Sequence, residues 1–166
     1  MNASCTLQLF ANGAWCDVGS VSLMGPEAQG WRSKTYTGYS VEWAIEHGGA
    51  RDAHAFACRF PVGLQAFEHP HWPVFLIDML PQGFGREELL RRLGLSVTAG
   101  ESVDWRLLLA GAGNSVGNLR VKEAASWLAA NAGPLRGFTD DELAERGDDF
   151  AEYLASHGLF VAGSSG

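Results

Sequence analysis

Five histidines, three cysteines and two glycine-rich segments are the parts of this chain whose residue types could do chemistry. A protein-bound metal wants several His, Cys, Asp or Glu ligands close together. Only His69-Pro70-His71 places two histidines near each other, and Glu68 is the adjacent carboxylate. His47, His54 and His157 stand apart, so all five histidines read as surface or loop residues. Cys5, Cys16 and Cys58 are an odd, widely spaced set with no Cys-x-x-Cys pair. That pattern is not a disulfide framework, and small buried hydrophobes are the expectation. A hydrolase-type serine would sit in a Gly-x-Ser-x-Gly elbow, and none occurs. No local pattern supports Cys–His catalysis.

The first glycine-rich segment is Gly111-Ala-Gly113-Asn-Ser-Val-Gly117. Its spacing differs from the dinucleotide fingerprint, a helix rather than a strand precedes it, and no Gly-Lys-Ser/Thr follows. It reads as a tight turn feeding a strand at Leu119. The second is Gly163-Ser164-Ser165-Gly166, after the apolar run Leu159-Phe-Val-Ala162. A strand leading into such a loop can cradle phosphate with backbone N–H groups. A flexible tail is the competing reading.

These segments must be positioned by a chain of 166 residues, long enough for one domain or one domain plus the start of another. Its hydrophobic fraction of 46% supports a buried core, and six tryptophans add bulk to that core or to a partner surface. The net charge of −7 argues against direct nucleic-acid binding, which needs Lys and Arg to neutralise phosphates. Seven acids stand against one base between Phe138 and Glu152, read as a solvated helix face. No signal-peptide pattern or spanning apolar stretch is visible, so a cytoplasmic location is expected and no membrane contact.

The chain opens as a hairpin: Thr6–Phe10 alternates, Asn12-Gly13 signals a turn, and Trp15–Leu23 alternates again. Val18, Val21 and Leu23 are its apolar members, and Gly19 marks a candidate bulge. Tyr36–Trp43 is read as a strand from its aromatic and β-branched content, and Ala53–Phe60 as another. A loop with Pro70 and Pro73 follows. Val74–Leu80 is an apolar run that periodicity leaves open between helix and strand. Gly85–Leu93 is a helix with Leu89, Leu90 and Leu93 on one face. Glu87→Arg91 and Glu88→Arg92 are well-oriented pairs along it, and Gly94 stops it. Asp104–Ala110 is a short helix with Trp105, Leu108 and Leu109 inward, and Asn118–Val121 is a short strand. Ala124–Ala130 is either a helical turn or the start of a linker. Asn131–Gly137 has boundary composition. Thr139-Asp-Asp-Glu142 is a capping box for a helix whose stripe is Leu143, Phe150 and Leu154. The order of elements predicts α+β: a small mixed or antiparallel sheet with packed short helices, then a helix and one strand.

Three stretches between Trp72 and Val121 carry a resemblance. Trp72-Pro-Val-Phe-Leu-Ile-Asp-Met-Leu80-Pro81-Gln-Gly83 resembles the Phe-x-x-x-Leu-Pro-x-Gly segment of HipA-type serine/threonine kinases. Arg86-Glu-Glu-Leu-Leu-Arg-Arg-Leu-Gly94-Leu is similar to that family's Arg-x-x-Leu-x-x-x-Leu-Gly-Leu helix. Trp105–Gly111 and Val116-Gly117-Asn-Leu-Arg-Val121 resemble the segments that follow it. The opening hairpin and the final Val161-Ala-Gly-Ser-Ser-Gly166 fit as well, and the likeness is weakest between Gly25 and Gly63.

The resemblance implies an N-terminal subdomain over residues 1–122, a linker over 123–137, and the beginning of a kinase-like N-lobe over 138–166. It implies structural roles for Leu80, Pro81, Gly83, Arg86, Gly94, Gly111 and Gly117. Gly163, Ser164, Ser165 and Gly166 would be the first part of a nucleotide-binding loop. Members of that family are bacterial toxins that use ATP and magnesium to phosphorylate a protein, with a helix-turn-helix antitoxin as partner. The family's loop lysine, catalytic aspartate, asparagine and metal-binding aspartate have no counterpart here, so this chain alone is expected to bind no cofactor and not to be catalytic. Phe160 stands where some relatives carry a regulated serine, while Ser164 and Ser165 are candidate phosphosites. The alternative is a stand-alone subdomain-like interaction protein acting on a separately encoded kinase.

Overall fold

The computed structural model describes residues 3–97, 100–133, 139–141 and 153–154. The first hairpin pairs β1 (Ser4–Ala11) with β2 (Ala14–Leu23). Asn12 and Gly13 both take positive φ, 52° and 82°, the twist a two-residue hairpin turn requires. Leu7 pairs with Gly19 but Gln8 pairs with Asp17, so Val18 is the extra residue of a bulge. The bulge turns Val18 into the core beside Val21 and Leu23. Gly19 is required there: an added Cβ would overlap the Gly38 carbonyl and lie 2.7 Å from the Phe56 ring.

β3 (Thr35–Tyr39) pairs with β2, and β4 (Phe67–His69) pairs with β3. β5 (Leu119–Val121) pairs with β1 on the opposite edge. The result is a five-stranded antiparallel sheet in the order β4-β3-β2-β1-β5. The helices are α1 (Val41–His47), α2 (Val74–Asp78), α3 (Gly83–Leu93), α4 (Asp104–Gly111) and α5 (Lys122–Asn131). A 3-10 segment, Glu27–Arg32, kinks at Gly30. The fold is α+β. No helix among the described residues is long and apolar enough to cross a membrane.

One sheet face carries Leu7, Leu9, Val18 and Val21, all fully buried against Trp72, Leu76, Trp105 and Leu108. Trp72 and Trp105 meet edge to face, 5.5 Å between centroids and 79° between planes. A smaller cluster of Leu89, Leu107 and Ala110 joins α3 to α4.

Three expectations change. The strand read over Tyr36–Trp43 ends at Tyr39, because the Ser40 hydroxyl accepts the Trp43 N–H and starts α1. Ala53–Phe60 is a run of turns, not a strand. Its backbone bonds go to local turns and to side chains: Ala55 N–H donates to the Asp52 carbonyl and Phe60 N–H to the Ala57 carbonyl, Asp52 Oδ1 accepts from His54 N–H, and the Tyr39 hydroxyl accepts from Phe56 N–H while donating to the Phe60 carbonyl. The fourth strand falls instead on Phe67–His69, within the proline-flanked stretch read as loop. The choice left open at Ala124–Ala130 resolves as helix, within α5. Ala124 is fully buried, and both Glu123 carboxylate oxygens accept the Thr6 N–H at 2.9 and 3.0 Å. Glu123 so takes over where the β1–β5 ladder stops.

The open choice at Val74–Leu80 resolves as helix over Val74–Asp78. Asp140 and Asp141 are helical, while the rest of the Glu142–Glu152 stretch and the Leu159–Ala162 run lie outside the described residues.

Candidate functional site

Of the residues singled out between Leu80 and Gly117, Leu80, Pro81, Arg86 and Gly111 lie at the contact between α3 and α4, while Gly83, Gly94 and Gly117 shape the chain around it. Gly83, at φ 52°, opens α3. Gly94 closes it in the left-handed conformation, with Gly94 N–H donating to the Arg91 carbonyl and Leu95 N–H to the Leu90 carbonyl. This is the paired-bond helix ending that glycine makes cheapest. Pro81 is buried between the helices, and Leu80 packs on both apolar clusters. Gly111 lets them approach: a Cβ there would lie 3.0 Å from Pro81 and 3.1 Å from Leu89. Gly117, at φ 112°, turns the chain toward β5 with open space around it.

Arg86 reaches from α3 to α4, its Nη2 donating to Asp104 Oδ1 at 3.0 Å. Asp104 N–H is in turn held by the Ser102 hydroxyl, and Ser102 N–H donates to the Ala28 carbonyl. Gly30, at φ 57°, lies against Ser102 and the Asp104 carboxylate, where any Cβ would clash. Arg86 therefore pins three elements together. Nearby, Arg91 grips Glu88 through Nε and Nη2 at 2.8 and 2.7 Å, and Arg92 Nε adds a third bond at 2.7 Å. The Glu88–Arg92 pair matches the sequence reading, and Arg91 joins the same carboxylate.

The Arg91 bonds, then those of Arg92, hold the Glu88 carboxyl below its ordinary value of 4.5 and outweigh the opposing effect of burial. The sign follows from that depression. Glu88 contributes stability above about pH 4.5, and the contribution is lost as pH falls through its lower folded value. The urea midpoint of Glu88→Gln should therefore differ from the parent at neutral pH and converge with it in acid. A difference that persists unchanged in acid would contradict the assignment.

The outer face of the sheet holds a network that strand alternation alone did not single out. Gln8 donates to Asp17 at 2.7 Å, Lys122 also bonds Asp17, and Arg120 Nε donates to Gln8 at 2.8 Å. The Arg120 guanidinium lies 4.0 Å from the Trp15 ring centre. The bonds from Lys122 and then Gln8 hold the Asp17 carboxyl down. The polar positions of β1 and β2 were visible in the sequence, but their partners lie over a hundred residues away.

Among the described residues the histidines do not assemble a centre, and His157 lies outside them. His47 and His54 stack 4.4 Å apart, with His54 Nδ1 at 2.8 Å from Asp52. His69 packs on Phe60, and His71 Nδ1 lies 2.9 Å from the Trp72 carbonyl. Burial, then the neighbouring His71, lowers the His69 pKa. Among the described residues no group of three or more His, Cys, Asp or Glu could hold a metal ion.

All three cysteines are free: Cys5 is buried, Cys16 half-buried and Cys58 exposed. The expectation of three buried cysteines holds only for Cys5. Burial, and secondarily the Glu123 charge, drives the Cys5 thiol far above its ordinary value. A thiol reagent followed by mass spectrometry should modify Cys58 rapidly in the native protein and Cys5 only after denaturation. Rapid native labelling of Cys5 would refute its buried placement.

Gly163, Ser164, Ser165 and Gly166 lie outside the described residues, so no phosphate contact is assigned to them. The arrangement that is described is a pair of helices brought together at Gly111 and held by the Arg86–Asp104 ion pair, with Glu88 bound by Arg91 and Arg92 along α3. Comparison with protein-family models, curated proteins and solved structures finds no match for the chain.

Proposed function

We propose that this chain is the N-terminal portion of a HipA-like toxin serine/threonine kinase of a toxin–antitoxin module. In this reading it contributes structure and a partner surface rather than catalysis. ATP and magnesium would act in the kinase core, and a helix-turn-helix antitoxin would be the partner. The observation that carries the reading is the ordered motif series Leu80-Pro81-x-Gly83, Arg86, Gly94, Gly111 and Gly117. Its supporting geometry is that Pro81, Leu89 and Gly111 meet at one contact, so the spacing follows a packing constraint. Phosphoryl transfer itself needs positioned charge and metal ions, and no residue described here is assigned to it.

A second reading is a free-standing regulator of a separately encoded kinase. It is favoured by the core of the described residues, with eight large side chains fully buried: Leu7 and Leu9 from the sheet, Trp72 just before α2, and Leu76, Leu89, Trp105, Leu107 and Leu108 from α2–α4. One experiment separates the two. The coding DNA beyond the Gly166 codon is read, and the complete product is expressed and assayed for magnesium-dependent phosphate transfer from labelled ATP. An in-frame kinase core with transfer supports the first reading. A stop codon followed by a separate kinase gene supports the second. No kinase sequence in either place, with no transfer, would refute both.

A further inference from the structure

β4 is an edge strand of three residues, paired to β3 at Thr35–His69, Tyr36–Glu68 and Thr37–Phe67. Pro70 follows at once and cannot donate another ladder bond. Side chains add to the hold: the Phe67 and His69 rings lie 5.0 and 5.2 Å from the Phe60 ring, centre to centre. His69 Nε2 is buried there and has no hydrogen-bond partner among the described residues. Its neighbours do not supply one. The Thr35 hydroxyl, on the residue paired with His69, donates to the His71 carbonyl. Thr37 Oγ1 is likewise buried and unbonded. A neutral imidazole can sit in this place with its proton on the other nitrogen. An imidazolium carries N–H donors on both nitrogens, so one of them would be a buried, charged donor with nothing to accept it.

The charged groups around the ring do not compensate. Glu68 points to the other side of the strand and pairs with Lys34 of the neighbouring chain segment. On the inward side of β3 the titratable group is Tyr39, which burial keeps neutral, its pKa pushed up to about 12. Arg59, beside Phe60, is an exposed cation. His71 adds like charge when it protonates. Burial first, and His71 second, hold the His69 pKa below its ordinary 6.5.

We propose that β4 is a proton-released latch: protonation of His69 expels its ring from beside Phe60, lifts β4 off the sheet and uncovers the edge of β3. The direction follows from linkage. The docked strand holds His69 neutral and the released strand lets it take up a proton, so release is favoured as pH falls below about 6.5. One added proton in the released form raises the opening constant by up to about tenfold per pH unit in that range. An uncovered edge can pair with another extended segment. The proposal stands independently of the kinase reading.

The test is NMR on the whole 166-residue chain between about pH 7.5 and pH 5, the range in which histidine titrates. It follows the His69 ring, its cross-relaxation with Phe60, and hydrogen-exchange protection factors, which take out the intrinsic pH dependence of exchange. The expected result is loss of the His69–Phe60 contact as the ring protonates. Protection of the β3–β4 ladder amides should fall about tenfold, while that of Leu7 and Leu9 holds. His69→Leu, which cannot titrate, should abolish the fall. A ring that protonates while still against Phe60, a ring that stays neutral and docked throughout, an equal fall at Leu7 and Leu9, or a fall that persists in His69→Leu would each overturn the proposal. If His69→Leu does not fold, the parent titration decides alone, through the ring contact and the Leu7 and Leu9 reference.

Discussion

Trp72→Ala is expected to cost about 4 kcal/mol, the upper range for deleting a buried aromatic side chain. That is a large share of the stability of an ordinary domain, and the melting temperature should fall by roughly 10 °C. Trp72 is fully buried, and Trp105 meets it edge to face. Its deletion leaves a void between the sheet and α4, where neighbouring side chains cannot collapse without leaving their rotamers. Trp72→Phe is the informative companion. The indole Nε1 of Trp72 is buried and lacks a hydrogen-bond partner, so phenylalanine removes an unsatisfied donor while keeping most of the aromatic area. Its cost should be less than half that of alanine. Urea titrations of both variants check the pair, and equal costs would contradict the account.

Gly113→Ala should destabilise by about 3 kcal/mol, at the high end for overpacking. The added methyl would lie 2.5 Å from the Ala124 carbonyl carbon and 2.6 Å from the Ala125 Cα. These are backbone atoms of α5, which cannot swing aside as a side chain can. Gly111→Ala, only two residues away, meets Pro81 and Leu89 side-chain atoms at 3.0–3.1 Å, so the helices can yield by a few tenths of an ångström. Thermal melts should therefore rank Gly113→Ala well below Gly111→Ala. The reverse order would mean that α5 does not sit where it is described.

The glycine-rich segment shows what sequence reading can and cannot reach here. Its composition announces a turn, and Gly117 does take positive φ. That Gly113 is instead a close-approach residue depends on α5, whose approach is a tertiary fact. Local signals served well elsewhere. Asn12-Gly13, the Leu stripe with Gly94 behind it, and the short helix at Asp104 all specify their own geometry through turn chemistry, periodicity and capping. Misreadings arose where a distant or competing group decided. Ser40 capped a helix in a stretch rich in strand formers. Tyr39 supplied the hydrogen bonds that made turns of Ala53–Phe60. β4 is only three residues long and exists because β3 offers an edge. At the α3–α4 contact, Arg86 was visible as a residue, but its partner Asp104 was not, since eighteen positions separate them.

The pairing of β5 with β1 has a kinetic consequence. Gln8 and Arg120, bonded across that edge, are 112 positions apart. Bringing such distant segments together incurs loop-closure entropy before the contacts repay it. The β1–β2 hairpin can form early and locally, yet its outer edge stays open until Leu119–Val121 arrives. Until then β1 is an unpaired template for another chain. Refolding should therefore show a collapsed hairpin stage that becomes more aggregation-prone as protein concentration rises, ending when the last short strand and Glu123 seal the edge.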